Sequence, residues 1–380
     1  MMNFFEKIYR RLKFYALSAF YRFERSLCRQ SLKRAYKDRF LIGTAVTGDL
    51  LFSRNAKPYH ILLKHFNTVT IADSLKPYSV CRQLDRYDFQ LADKMVAWAE
   101  RLGMTVIGHC LISSIMFPRF FFADENGNDV SREVLIDRMR NYIHAVVGRY
   151  KGRIRCWEAV HEVFDSDGRW LDSKFYRILG EDFVGYAFRF AREADPDCEL
   201  LYSDSALCFP EKRAAVIAIL QKLRSQGIMV DTVGMQGHVH FAYPPLADLE
   251  KAIEDFSNAN FKISITEMDF SVLPVYNPRI INTATALDPA YWETLNPYKT
   301  GLPEKIAQMQ AKRYADFFKI FLKHSDCIDR VTFWGITDDT SAKNDFPVIG
   351  RTDYPLLWDR KYRAKPVVKE LIGMGQNNYY

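Results

Sequence analysis

The sequence has few of the features that mark fibrous, disulfide-built or metal-binding proteins. Only 18 of its 380 residues are glycine, which excludes a collagen-like repeat. Its seven cysteines are odd in number, and none has the C-x2-C spacing of a structural zinc site. We therefore expect free thiols, as in a reducing compartment, and no bound metal. The glycine-rich motifs of nucleotide-binding proteins and the G-x-S-x-G motif of serine hydrolases are also missing, so we expect no cofactor.

Long apolar runs are missing too. The longest uncharged stretch near the N-terminus, Phe14–Tyr21, has eight residues, whereas a transmembrane helix needs about 20. It is rich in Tyr and Phe and is soon followed by Arg22 and Arg25, which argues against a secretory signal. The composition, 48% hydrophobic and 26% charged, indicates a globular chain whose length fits two domains or one α/β barrel.

The positive charge is confined to one end of the chain. The formal net charge is +7, but residues 1–39 hold eleven basic and three acidic residues and so carry +8. The other 341 residues therefore sum to −1. A basic surface is the electrostatic mark of a nucleic-acid-binding protein, and the main part of the chain has no such excess. We therefore expect no nucleic-acid partner.

Residues 1–30 are predicted to form a basic amphipathic extension, ahead of a single main domain at residues 31–375. Apolar side chains recur there at three- and four-residue steps, as on one face of a helix: Phe5, Ile8, Leu12, Ala16, Ala19, Phe23 and Leu27. Such a helix could lie on an anionic membrane surface, or it could pack its apolar face on the main domain. Because a clear signal peptide is lacking, we expect a cytoplasmic or peripherally membrane-associated monomer, with secretion as the alternative.

Short β-branched runs alternate with segments of helical period through the rest of the chain. The predicted strands are Leu41–Val46, Phe66–Ala72, Thr105–Leu111, Arg155–Val160, Glu199–Ser205, Thr232–His238, Lys262–Met268 and Arg330–Ile336. The predicted helices are Tyr87–Gly103, Arg132–Tyr150, Ser173–Ala194, Pro210–Gly227, Pro245–Asn260 and Pro303–His324. This regular alternation predicts an α/β fold, a (β/α)8 TIM barrel, with Pro274–Leu302 as a loop over the active face. A doubly wound open sheet is the rival, but polar residues end six strands rather than one switch point.

Two glutamates end predicted strands on opposite sides of this barrel. Glu162 follows the fourth strand and Glu267 lies in the seventh, so their side chains could face each other across the mouth. Glycosidic bond cleavage needs two such carboxyl groups, one protonated and one ionised. For an isolated strand-end glutamate, however, a structural salt bridge is the more common role.

The residues around both glutamates resemble the xylanase group of family 10 glycoside hydrolases, over roughly Ser31 to Ile372. The matching segments are Gly108-His109, Trp157–Glu162, Asp167–Trp170, Ala191–Pro196, Val233–His238, Ile265–Asp269, Phe333–Asp338 and Gly350–Leu357. Several ordered motifs over most of a chain are far more specific than any one of them.

The resemblance implies a retaining β-glycoside hydrolase, most simply an endo-1,4-β-xylanase acting on an oligo- or polysaccharide. Glu162 would be the general acid/base and Glu267 the nucleophile, with carboxyl groups about 5–5.5 Å apart. The implied substrate-binding residues are Lys76, His109, His161, Gln236, His238 and Trp334. Among them His238 would hold the nucleophile, and Trp334 would form the floor of the sugar site.

Several positions depart from the family pattern. His161 replaces the usual Asn before the acid/base, and it could donate to a sugar 2-hydroxyl or, if protonated, to an anionic substituent. Ser113, Ser114 and Ala342 stand where Trp, His and Trp are common. These changes leave two alternatives open beside xylan hydrolysis. The site could be retuned to a hexoside or substituted glycan, or the chain could be a catalytically weak glycan-binding barrel.

Overall fold

Eight parallel strands close into a barrel in the computed structural model, which describes residues 30–275 and 289–376. The described residues form twelve strands in all, of which eight make up the barrel: β1 (Leu41–Val46), β2 (Thr68–Ile71), β3 (Cys81–Gln83), β4 (Arg86–Tyr87), β5 (Thr105–Gly108), β6 (Ile112–Ser113), β7 (Cys156–His161), β8 (Glu199–Asp204), β9 (Thr232–Met235), β10 (His238–His240), β11 (Lys262–Ser271) and β12 (Ile328–Phe333). Around the barrel the order is β1, β2, β5, β7, β8, β9, β11 and β12, and β12 pairs with β1.

Helices connect the strands and cover the barrel. They are α1 (Leu32–Ala35), α2 (Gly48–Phe52), α3 (Lys57–His65), α4 (Pro77–Val80), α5 (Gln90–Arg101), α6 (Arg132–Arg149), α7 (Lys174–Leu179), α8 (Asp182–Ala194), α9 (Pro210–Ser225), α10 (Leu246–Asn258), α11 (Pro289–Thr294), α12 (Glu304–Lys323) and α13 (Pro366–Gln376). Each long helix buries one apolar face. In α8, for example, Phe183, Ala187 and Phe190 are buried at helical spacing.

The predicted TIM barrel is confirmed, and all eight predicted strands are present, Leu41–Val46 with its predicted ends and the other seven with shifted ends. The predicted strand Thr232–His238 is divided into β9 and β10, because Gly237 at φ 82° interrupts it. The predicted helix Ser173–Ala194 is wrong as one helix, since Gly180 at φ 62° separates α7 from α8. The additions that were not predicted are helices α1, α2, α3, α4, α11 and α13, strand β6 and the β3–β4 hairpin.

Some of the sequence-based expectations concern residues that the structure does not describe. The predicted helix within residues 1–30 lies outside the described residues, apart from Gln30. The centre of the predicted loop Pro274–Leu302 does as well, although its second half includes α11. In the part of the chain that is described, no helix is long and apolar enough to cross a membrane. The six cysteines of that part are free thiols, as expected.

Close packing between β5 and β7 leaves no room for a side chain at Gly108. A Cβ atom placed there would lie 2.2 Å from Cε3 of Trp157, the fully buried residue paired with it on β7. We expect Gly108→Ala to lower the free energy of unfolding by about 1–3 kcal/mol, as overpacked core positions do. Gly148→Ala is the matched control, because an exposed Cβ on α6 meets nothing within 4 Å and alanine favours a helix. Urea unfolding of both variants checks this, and equal stability of the two would contradict it.

Candidate active site

Glu162 stands at the mouth of the barrel, directly after β7. Its φ of 53° turns the backbone away from the strand, a conformation that is uncommon for a residue with a side chain. The carboxylate is 30% exposed. Oε1 accepts a 2.9 Å hydrogen bond from Nε2 of Gln236, which follows β9. The backbone N–H of Glu162 donates to Ser203 and its carbonyl accepts from the Ser114 hydroxyl, so the turn is fixed on two sides.

Glu267, on β11, is only 4% exposed and faces a histidine. Nε2 of His238 lies 3.3 Å from its Oε2, and Nδ1 of the same ring lies 2.9 Å from Oδ2 of Asp269. Burial raises the pKa of Glu267, but the His238 contact and the positive charges of His109 and His161 outweigh it, so the pKa is lowered. Burial acts against the charge on His238 as well, yet Asp269 raises its pKa to about 9.

His161 lies between the two glutamates. Its Nε2 is 3.9 Å from Oε2 of Glu162, and its Nδ1 is 3.9 Å from Oε1 of Glu267. The buried Glu158 carboxylate bridges Nδ1 of His161 and, at 2.8 Å, Nδ1 of His109. Burial acts to lower the pKa of His161, but Glu158 raises it to about 10. Burial likewise acts to raise the pKa of Glu158, and the two histidines bring it well below the usual range.

An aromatic wall and a wide cavity adjoin these groups. The Trp334 ring lies edge-on to His109 with centroids 5.1 Å apart, and its backbone N–H donates to Met268. From Trp334 a cavity of about 610 Å³ extends over the ends of β1, β2 and β12. Lys76 and Ala342 line this cavity together with Trp334. Its size is within the range of about 300–1,000 Å³ that is common for ligand pockets.

The structure brings the predicted site residues together at one end of the barrel. Gln236 contacts Glu162, His238 contacts Glu267, His109 and His161 share Glu158, and Lys76 shares the cavity wall with Trp334. Of the departures from the family pattern, Ser113 pairs with His161 across β6 and β7, Ser114 bonds the backbone of Glu162, and Ala342 lines the cavity.

Three buried acids of the site were not predicted as site residues. Glu158 holds His109 and His161, and Asp269 holds His238, so the two acids position the histidines that face the carboxylate pair. Asp204 lies 2.6 Å from Nζ of Lys212 and accepts from Tyr202 and from the backbone of Val163, just after Glu162. An acid inside an apolar strand, as in Trp157-Glu158-Ala159, is the sequence signal that could have found the first of them, because unpaired buried charges are rare.

Comparison with known proteins gives a consistent match over the whole barrel. The sequence profile of the family described as Glycosyl hydrolase family 10 matches residues 31–373. Endo-1,4-beta-xylanase A of Xylanibacter ruminicola is 42% identical over 334 residues, which are 88% of this chain and 90% of that protein. An endo-1,4-beta-xylanase of Geobacillus stearothermophilus is 33% identical over 346 residues, 90% of this chain and 98% of that protein.

Solved structures match equally well. A GH10 endoxylanase retrieved from a sugarcane soil metagenome has a TM-score of 0.84 at 37% identity, covering 91% of this chain and 100% of that chain. Xylanase XynB of Paenibacillus barcinonensis, solved with a conduramine derivative, has a TM-score of 0.81 at 32% identity, covering 91% of this chain and 98% of that chain.

Proposed function

Because this chain belongs to glycosyl hydrolase family 10, we propose that it is a retaining endo-1,4-β-xylanase that cleaves the backbone of xylan. One observation carries the proposal: Glu162 and Glu267 approach the same imidazole, His161, from facing strands, each at 3.9 Å. Their surroundings differ. Glu267 is buried among histidines that favour its ionised form, whereas Glu162 is more exposed and bonded to a neutral amide.

In the first step, the Glu267 carboxylate attacks the anomeric carbon while Glu162 gives its proton to the departing oxygen. The bond from the anomeric carbon to the leaving oxygen breaks, and a glycosyl–Glu267 ester forms. The His238–Asp269 pair supports this role, because a nearby imidazolium keeps Glu267 ionised until it attacks.

In the second step, the now ionised Glu162 takes a proton from water, and the water oxygen attacks the same carbon. The ester breaks, Glu267 leaves as a carboxylate, and the two inversions give net retention. Gln236 supports both steps, because its hydrogen bond to Oε1 fixes the orientation of the Glu162 carboxyl group.

The sugar next to the cleaved bond is proposed to rest on Trp334, with His161 and His109 donating to its hydroxyl groups. Lys76, which lines the cavity wall, is proposed to contact the same sugar. This cavity lies over β12, β1 and β2, on the side of the barrel away from Glu162. Since Glu162 protonates the leaving group, the cavity receives the part of the chain that stays attached to the enzyme.

The test is a substrate panel with the full chain. We expect cleavage of xylan to internal oligosaccharides, and a kcat/KM for aryl-β-xylobioside at least about tenfold above that for aryl-β-cellobioside, because one added substituent changes discrimination by about 10–200-fold. Proton NMR of early products should show the β-anomer first. Cleavage of β-glucan in preference to xylan would replace the proposal by a hexosidase, and binding without any cleavage would replace it by a glycan-binding protein. The α-anomer as first product would exclude retention.

A further inference from the structure

Four buried side chains converge beside the nucleophile in an arrangement that suits a metal ion. His109 follows β5, Glu158 and His161 lie on β7, and Glu267 lies on β11. One ligand atom of each lies within 4.8 Å of all the others. All four residues are at most 4% exposed. Spacing along the sequence predicts no metal site, because only Glu158 and His161 are near each other in the chain, while His109 and Glu267 come from distant segments.

One atom of this cluster has no partner. Oε1 of Glu267 is buried and makes no hydrogen bond within the described residues, although it points toward Nδ1 of His161 at 3.9 Å. A buried carboxylate oxygen without a partner is costly, so it is a strong acceptor for any cation that reaches it. This orphaned oxygen is evidence for a ligand that is independent of the clustering itself.

The donor set selects the class of ion. Two imidazole nitrogens with two carboxylate oxygens suit Zn²⁺ or Cu²⁺, whereas Ca²⁺ and Mg²⁺ prefer all-oxygen sites. With neutral imidazoles and ionised carboxylates the set carries −2, which a divalent ion neutralises. A tetrahedral ion with bonds of about 2.0–2.2 Å holds its ligand atoms about 3.3–3.6 Å apart. The observed separations of 2.8 Å (His109 to Glu158) and 3.9 Å (His161 to Glu267) lie on either side of that value, and the His161–Glu158 hydrogen bond is shorter than both. A bound ion would therefore move Glu158 away from the two imidazoles.

We propose that His109, Glu158, His161 and Glu267 form a binding site for one Zn²⁺ or Cu²⁺ ion, and that the bound ion inhibits the enzyme. The ion is a ligand of the four side chains and takes no part in catalysis. It replaces any protons on the two Nδ1 atoms, which pass to solvent. Inhibition follows because coordination draws electron density from the Glu267 carboxylate and so makes it a much weaker nucleophile. The binding claim stands on geometry alone, and only the inhibition claim rests on the proposed function.

The experiment measures binding and activity separately on the full chain after chelator treatment. Isothermal titration calorimetry with ZnCl2 is expected to show tight binding of one Zn²⁺ ion per chain. Addition of CoCl2 should give the visible absorption of four-coordinate Co²⁺. His161→Asn removes one ligand, so affinity should fall more than about a hundredfold, beyond the 10–100-fold lost when an outer partner is removed. His109→Gln is a second ligand variant, in case the first does not fold. The chain offers a control in His324, which lies in another His/Glu cluster with Glu250 and Glu254, and His324→Asn should not change the tight site.

Zn²⁺ should also inhibit xylan hydrolysis by the parent and the His324 variant in competition with substrate. No tight binding by the parent, or tight binding that survives both ligand variants and is lost with His324→Asn, would overturn the site. Tight, His161-dependent binding without inhibition would overturn the inhibitory role. If the parent binds Zn²⁺ through these ligands but cleaves no glycan, the proposed function fails and the metal site stands.

Discussion

Glu267→Gln is expected to lower kcat on xylan by on the order of 10⁵–10⁶-fold, the scale on which loss of the attacking group acts in covalent catalysis. The amide has nearly the shape of the carboxylate, so the buried position remains filled. It cannot form the glycosyl ester, however, and His238 loses the negative charge that it faces at 3.3 Å. Steady-state rates on xylan and on an aryl-β-xylobioside measure the loss, which should be similar for both because no leaving group can compensate for a missing nucleophile.

Two further variants separate chemistry from misfolding. Glu125→Gln changes an exposed glutamate in the loop before α6, and its activity and unfolding midpoint should match those of the parent. Glu267→Ala opens space at the reacting face, so added formate should restore part of the activity on an activated aryl glycoside and yield a product of α configuration. A fully active Glu267→Gln enzyme would place the nucleophile elsewhere.

The barrel could be predicted because each of its parts is encoded locally. Strands buried on both faces appear as continuous apolar runs, such as Leu200–Tyr202, and the amphipathic period marks the helices between them. The breaks at Gly180 and Gly237 could not be predicted in the same way. A glycine can lie inside a helix or a strand without ending it. Only the positive φ of Gly180 and Gly237 in the folded chain shows that the helix or strand ends there.

The order of the strands in the chain predicts that the two carboxylates face each other. It does not predict which side chains surround them. Glu158 holds both His109 and His161 because β5 and β7 are neighbours and β7 has an irregular register between Glu158 and Val160. These hydrogen bonds depend on the direction of the side chains at a bulge, and the hydrophobic period of a sequence does not predict that direction.

Glu162→Gln should lower kcat/KM on xylan by about 10²–10⁴-fold, the usual contribution of a positioned general acid. Glutamine retains an oxygen that can accept from Gln236, so the side chain should keep its position. The loss should be much smaller for formation of the glycosyl enzyme from a dinitrophenyl xylobioside, since that leaving group departs without a proton. Release of the glycosyl enzyme still needs a general base, so a burst of dinitrophenol followed by a slow steady state is expected in stopped-flow traces.

Added azide distinguishes the two glutamates. In the Glu162 variant, azide attacks the glycosyl–Glu267 ester without needing a base, so it should speed the steady state and give a glycosyl azide of β configuration. In the Glu267→Ala variant, the external anion attacks the substrate directly and the configuration is inverted to α. The opposite pattern, with the α product from the Glu162 variant, would reverse the two roles. Since His161 faces both carboxylates at 3.9 Å, its position cannot assign the roles, and the configuration of the azide product can.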